Sequence, residues 1–304
     1  MSESAAPAVS VVIPAWNAAA FIEKTLDSVR AQTVSDYEIV VTDDGSKDDT
    51  KGVVDRYLAR HGLRGQCIRQ DNKKIAGARN TAMRAARAPL IALLDHDDLW
   101  YPRKLEKVLA VFAARPDVDL VGHHINVTKD GKVQWTARKG PACADMYERL
   151  LLVGNALAPS ATVFKKDKAL AIGGFRENPE YNTVEDYDFW MRFSRVAVYY
   201  FIDEVLAEYP LVESSASARV EYHHGNLETL LRAHFAERYG AQPSLAQRWA
   251  MRRRLAAVYR SAAGKLMEAR ADRPKQADYV TKMLRTFPLD PRNLGRAAQW
   301  LFSS

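Results

Sequence analysis

Four short apolar runs, each set off by a helical pattern, restrict what this chain can fold into more than any other feature. Residues 9–13 (VSVVI), 38–42 (EIVVT), 67–69 and 90–94 are rich in β-branched and aliphatic side chains. Their apolar character is continuous rather than alternating, as in strands buried on both faces of a parallel sheet. Between them, residues 19–32 carry Phe21, Leu26 and Val29 at helical spacing, and residues 48–60 set Val53, Val54, Tyr57 and Leu58 on one side. Residues 77–86 form a third helical stretch. This alternation predicts an α/β fold: an open, Rossmann-like, mostly parallel sheet with right-handed crossovers and helices on both faces. Such sheets bind ligands beyond the carboxyl ends of their strands, where strand order reverses.

The unusual residues fall at those ends. The first strand runs into Pro14-Ala15-Trp16-Asn17, the second into TDDGSKDDT (42–50) and the fourth into LDHDD (94–98). Asp95, Asp97 and Asp98 repel one another unless a cation neutralises them, and oxygen-only ligands suit a hard divalent ion, Mg²⁺ or Mn²⁺. Mg²⁺ takes one or two protein carboxylates and completes its shell with water and phosphates, so Asp95-His96-Asp97 reads as half of a site whose other half is a diphosphate. The plain alternative is a solvated acidic loop.

Within the second strand end, Ser46 is a candidate cap for a helix beginning near Asp48, whose acidic first turn suits the helix dipole. Asp43 and Asp44 are left over, and Asp44 is the candidate to accept a hydrogen bond from a base edge. Residues 76–83 (AGARNTAM) read as a helix opened by Gly77 with Arg79 in its first turn, where a cation meets phosphate oxygens. An ordinary surface arginine is the alternative. In NTVEDYDFWMRF (182–193), Glu185, Asp186 and Asp188 precede the apolar Phe189, Trp190 and Phe193. A carboxylate at the mouth of such a helix is a candidate general base, set against an acidic turn stabilised by the dipole. Gly173-Gly174-Phe175 reads as a tight turn.

Two cysteines, Cys67 and Cys143, are too few for a disulfide framework, which fits a reducing compartment. With no apolar stretch near the ~20 residues that span a bilayer and no signal-like opening, the expected location is the cytoplasm. Charge is unevenly divided. The chain carries a net +7, whereas residues 216–304 alone hold 16 Lys and Arg against 7 Asp and Glu. There, Met251, Leu255, Val258, Tyr259, Ala262 and Leu266 repeat at helical spacing, the pattern of an ordinary core stripe. This basic tail lacks a nucleic-acid-binding motif, so no nucleic acid is expected. An anionic membrane surface is the alternative to packing within the protein, with NLGRAAQWLFSS (293–304) as a small interfacial anchor.

Taken in order, VSVVIPAWN, YEIVVTDDGSKDDT, GARNTA, LIALLDHDDLW, GGF and EDYDFWMR resemble the motifs of the family-2 glycosyltransferases, inverting enzymes of GT-A fold that use nucleotide-diphosphate sugars. The resemblance covers residues 8–217. It implies a catalytic domain over 1–217, with a nucleotide-sugar half about 8–100 and an acceptor half about 101–217, followed by a basic helical region over 218–304. By the same resemblance Pro14, Ala15 and Trp16 flank the nucleobase, Asp44 reads the base edge and Arg79 lies near the ribose or phosphates. Asp95-His96-Asp97 is similar to the DxD motif, with Asp95 towards the ribose, His96 in the nucleotide-sugar site, and Asp97 on the metal supported by Asp98. Asp186 matches the catalytic base, and Glu185 is its nearest rival.

The implied partners are a nucleotide-diphosphate sugar, UDP-sugars favoured, and a glycan or lipid-linked glycan acceptor of a bacterial surface polysaccharide or glycolipid. The implied cofactor is Mn²⁺ or Mg²⁺. One segment departs from the family: YPLVESSAS (209–217) has Pro210 and Val212 where Arg and a metal-site His are often found, and His223 or His224 are the candidate substitutes. Two other readings remain. A sugar nucleotidyltransferase would carry a Gly-rich basic loop where this chain has PAWNAAAF, and a nucleotide-sugar sensor needs no base. A dinucleotide-binding fold is disfavoured because no GxGxxG follows the first strand.

Overall fold

The computed structural model describes residues 6–211 and 220–302. They form two compact units: one built from the chain up to Tyr147, Asn155–Glu177 and the stretch from Glu185 to the end of the sheet, the other from Glu148–Gly154, Asn178–Val184 and the C-terminal helices. The elements in chain order are β1 (Val9–Ala15), α1 (Ile22–Arg30), β2 (Tyr37–Asp44), α2 (Thr50–His61), β3 (Gly65–Gln70), α3 (Lys74–Ala85), β4 (Leu90–Leu93), β5 (Leu99–Trp100), α4 (Lys104–Ala114), β6 (Leu120–Lys129), β7 (Lys132–Ala137), α5 (Met146–Leu152), β8 (Thr162–Lys165), α6 (Lys166–Ala171), α7 (Glu185–Phe193) and β9 (Tyr199–Pro210). After them come α8 (Val220–Tyr239), α9 (Leu245–Glu268), α10 (Arg273–Thr286) and α11 (Pro291–Phe302).

The first unit is a mixed sheet of order β3-β2-β1-β4-β8-β6-β9-β5, with β7 added on β6. Its β3-β2-β1-β4 half is parallel, and β8 pairs antiparallel with both β4 and β6. Every residue of β1 and β2 is buried, so their uninterrupted apolar runs have a direct cause: both sheet faces are covered. From β1 the chain moves outward through β2 to β3, then crosses to the other side of β1 as β4. The carboxyl ends of β1, β2 and β4 therefore flank the point where strand order reverses.

Two helix starts differ from expectation. Helix α3 begins at Lys74 rather than at Gly77, which puts Arg79 in the second turn. Tertiary bonds set that start, since Asp44 accepts the Lys73 N–H at 2.8 Å. Gly77 lies inside the helix, where a Cβ would come within 2.4 Å of the Lys73 side chain. Helix α2 begins at Thr50, and Ser46 does not cap it; its Oγ accepts the Asn17 N–H instead, at 2.9 Å.

In the second unit the expected stripe is buried: Leu255, Val258, Tyr259, Ala262 and Leu266 of α9 lie inside with Leu230, Leu231 and Phe235 of α8 and Tyr279, Val280 and Met283 of α10. Ser244 and Gln247 form a capping box at the start of α9. Among the described residues no helix is long and apolar enough to cross a membrane.

Candidate active site

The rim of the site is assembled from the ends of β1, β2 and β4. Pro14 and Ala15 are buried in β1 opposite Thr42 and Asp43, while the Trp16 ring just beyond them is 51 % exposed. Asn17 takes a positive φ of 50° and clamps the neighbouring loop, its Oδ1 accepting the Lys47 N–H at 2.8 Å. The two acids that end β2 diverge. Asp43 is tied internally to Arg69 (2.8 Å) and to the Ser46 N–H (3.0 Å). Asp44 uses Oδ1 for both Gln70 Nε2 (2.7 Å) and the Lys73 N–H (2.8 Å), and Thr81 orients that Gln70 by donating to its Oε1 at 2.6 Å. Asp44 Oδ2 takes no hydrogen bond among the described residues, which leaves one acceptor for a ligand.

The DHDD loop is held at several backbone points. His96 Nδ1 bonds the Pro14 carbonyl at 2.9 Å and its ring stacks on Phe21, while Thr25 Oγ1 donates to the His96 carbonyl at 2.8 Å. Ser160 anchors the other side: its Oγ accepts the Asp95 N–H at 3.0 Å, and its carbonyl accepts Trp100 Nε1 (2.9 Å) and Lys104 Nζ (2.7 Å). The Lys104 ammonium also lies 3.5 Å from the centre of the Trp100 ring, a cation–π contact.

Asp98, expected beside Asp97 at the metal, instead turns its carboxyl into the interior, towards Ser160 and Lys104. The physical reason is the turn itself, closed by the Asp98 N–H on the Asp95 carbonyl at 3.1 Å. Burial, then Asp95 and Asp97, raise its pKa well above the usual carboxylate range, and burial likewise depresses Lys104.

Asp97 is half-buried, and its carboxyl takes no hydrogen bond from another described residue. Burial raises its pKa, His96 opposes the rise and Asp95 adds to it. No group of three or more His, Cys, Asp or Glu side chains gathers into a complete metal cage among the described residues. One unengaged carboxylate with a second beside it nonetheless fits a hard ion that draws its remaining oxygens from phosphates and water. Of the acids in this loop, Asp98 is buried, while Asp95 and Asp97 remain partly exposed. His224, a candidate substitute for the family's late histidine, is buried in the second unit with Nδ1 on the Val220 carbonyl and Nε2 near Ser261 Oγ; burial lowers its pKa to about 4. His223 bonds Thr183 Oγ1 at 3.2 Å. Val212 lies outside the described residues.

Arg79 joins the two halves of the site. Its NH1 pairs with Glu185 Oε1 at 2.7 Å and its NH2 with Asp95 Oδ1 at 2.8 Å. Burial opposes its charge, but Asp95, Glu185 and Asp186 outweigh burial and hold its pKa above the ordinary arginine value. With 2 % of the side chain exposed, the guanidinium is a strut between the end of β4 and the start of α7 rather than an open phosphate clamp or a surface arginine. Glu185 is only half satisfied, because Oε2 is buried without a donor among the described residues. Burial therefore pushes its pKa up to about 7, with Arg79 opposing and Asp186 reinforcing the rise.

Asp186, next in sequence, is less buried. Its Oδ1 accepts the Tyr187 N–H at 2.7 Å, and Asn155 Nδ2 lies 3.5 Å from its Oδ2. The geometry distinguishes the two rivals: Glu185 is buried and committed to Arg79, whereas Asp186 is only partly buried. Helix α7 is seated by its apolar face, where Phe189 stacks on Phe175 at 4.3 Å between ring centres and packs on Phe164 at 5.3 Å. Asp188 is a structural acid, bonded by Arg192 Nε at 2.7 Å.

Sequence reasoning missed Ser160, Gln70, Asn155 and Lys139. Ser160 sits in a Pro-Ser-Ala turn with no local signal. Lys139 follows β7 in a loop of unremarkable composition, and only the fold brings its ammonium under the influence of Asp186.

Comparison with known proteins bears on the family and the fold. The family model described as glycosyl transferase family 2 matches residues 10–170, more than half of the chain. An uncharacterized glycosyltransferase of Nostoc sp. is 35% identical over 151 residues, covering 49% of this chain and 47% of its own length. Chondroitin synthase of Escherichia coli is 31% identical over 202 residues, 66% of this chain and 28% of that protein. The chain thus spans less than two thirds of the length of these curated relatives. Among solved structures, S. aureus TarS 1-349 in complex with UDP superposes with a TM-score of 0.63 at 17% identity, covering 96% of this chain and 88% of that one. The mannosyltransferase PcManGT from Pyrobaculum calidifontis, in complex with GDP-Man and Mn²⁺, gives 0.57 at 20% identity, covering 98% and 88%. Both share the fold, a GT-A sheet with helices on both faces.

Proposed function

Because the chain belongs to glycosyl transferase family 2, we propose that it is a metal-dependent inverting hexosyltransferase that moves a sugar from a nucleotide-diphosphate sugar to an acceptor hydroxyl. The single observation that carries this reading is the Arg79 strut, which joins Asp95 at the donor end to Glu185, the residue beside Asp186. Trp16 offers an open ring to the base, Asp44 Oδ2 an acceptor to its edge, and His96 holds the DHDD loop against β1. Asp97, with Asp95 beside it, would hold Mn²⁺ or Mg²⁺, which when bound neutralises charge on the departing diphosphate. Asp186 takes the proton of the acceptor hydroxyl as its oxygen bonds to the anomeric carbon and the bond to the diphosphate breaks on the opposite face. One displacement inverts the anomer.

UDP-sugars are the favoured donors, supported by the UDP and UDP-GlcNAc complexes of TarS 1-349; the GDP-Man and Mn²⁺ complex of PcManGT supports the metal. A cytoplasmic enzyme of bacterial surface polysaccharide or glycolipid synthesis fits these chemistries. Incubation with UDP-, GDP- and dTDP-sugars, with Mn²⁺ or with EDTA, is expected to release nucleoside diphosphate from one donor class only when metal is present. Binding without release in every arm would favour the sensor reading, and release that is indifferent to EDTA would remove the metal.

A second observation supports a peripheral membrane contact. On α11, Leu294, Leu301 and Phe302 are exposed close in sequence to Arg292 and Arg296. Co-sedimentation with vesicles rich in anionic lipid is expected, and its loss in Leu301→Glu/Phe302→Glu would locate the contact. Equal sedimentation of both proteins would reject it.

A further inference from the structure

We propose that Lys139 is the anion-recognising group of the acceptor subsite, so that the acceptor carries a carboxylate or phosphate close to the hydroxyl that is glycosylated. The inference rests on the reading of Asp186 as the base, because it takes the ground beside that carboxylate as the acceptor's place.

The loop after β7 is fixed in position. The Lys139 N–H donates to His124 Nδ1 at 3.0 Å, and His124 Nε2 lies 2.8 Å from Asp203 Oδ1. Gly140 follows at a φ of 77°, where a Cβ would come within 2.6 Å of the Phe201 ring, and its N–H donates to the Ala156 carbonyl at 3.0 Å. Asn155, adjacent to Ala156, is the residue whose Nδ2 reaches Asp186. Residues 139–140, 155–156 and the start of α7 are thus joined by named bonds, which bring the Lys139 backbone close to the start of α7.

That side chain is partly buried, yet among the described residues its ammonium makes no hydrogen bond and no ion pair. A cation taken out of water without a partner is costly, and the cost is recovered when a ligand supplies the missing charge. Burial depresses its pKa, and the one charge that counters this is Asp186. Lys139 and Asp186 therefore interact without touching. An acceptor that presents its hydroxyl to Asp186 and an anion to Lys139 gives the lysine the charge it lacks and the carboxylate a proton to take.

The test is binding to the full-length protein in metal-free buffer, so that a bound ion cannot capture the probes. Saturation-transfer NMR compares D-glucuronate, D-glucose 6-phosphate and D-glucose. The expected result is about tenfold tighter binding of at least one anion than of glucose, the scale of one charge-assisted hydrogen bond. The arm that prevails distinguishes a carboxylate from a phosphate acceptor. Lys139→Met removes the preference, Lys139→Arg keeps it, and Asp186→Asn also keeps it, so failure of the base assignment reads out separately in turnover. Equal binding of glucose and both anions by the wild type, or an unchanged preference in Lys139→Met, overturns the proposal.

Discussion

Asp186→Asn is expected to lower kcat by about 10²–10⁴-fold, the usual contribution of a positioned general base, while donor binding changes by less than about threefold. The substitution keeps the side chain's size and its acceptor oxygen, so the Tyr187 N–H retains a partner and the start of α7 is undisturbed. The residues proposed to meet the nucleotide, Trp16, Asp44 and Asp97, lie away from α7. Glu185 cannot take over, because its Oε1 is held by Arg79 and its Oε2 is buried. Calorimetric titration with the nucleotide and single-turnover kinetics separate the two effects. Ordinary turnover in the variant would remove Asp186 from the mechanism.

The largest expected effect on stability belongs to Arg79→Met, which keeps much of the bulk against Phe175 and deletes the charge. Breaking a buried pair by removing one partner costs about 3–5 kcal/mol, and here two carboxylates lose their partner at once. In a unit of this size that corresponds to a fall in Tm on the order of 10 °C. The pH dependence has a definite sign. Glu185 has a folded pKa pushed up to about 7, above its ordinary 4.5, so the stability linked to its protonation is present at low pH and is lost as pH rises from about 4.5 through 7. Deleting Arg79 removes the influence that holds this pKa down, so the loss continues to higher pH in the variant. The Tm gap between the two proteins is therefore expected to widen between pH 5.5 and pH 8.5. A gap under about 2 °C at both pH values would show that the strut contributes little to stability.

The carboxyl ends of strands were legible because their causes are local. The continuous runs at 9–13 and 38–42 report burial on both faces, and the turn residues that follow them, Asn17 and Gly45, report the positive φ that ends each strand. Asp44 could be singled out as an acid that turn and capping needs leave over, Asp95 and Asp97 as like charges gathered at a strand end, and Asp186 as an acid at the mouth of an apolar helix. Three side chains are engaged in ways no local pattern signals, for a shared reason. Ser46, expected as a cap, Asp98, expected to support the metal, and Arg79, expected near the ribose or phosphates, each meet a partner distant in sequence: Asn17, the Ser160–Lys104 pair, and Glu185.

By itself, then, the sequence determined the alternation of strand and helix, the buried strands and the acidic loops that end them, since period and apolar run length act through neighbours a few residues apart. Tertiary structure alone decided which acid is left open and which is consumed internally. Arg79 and Glu185 stand 106 positions apart, and only the crossover order of the sheet brings them to 2.7 Å. Charge acts through space, and its strength depends on how much water the surrounding fold excludes, a quantity no local stretch of residues carries.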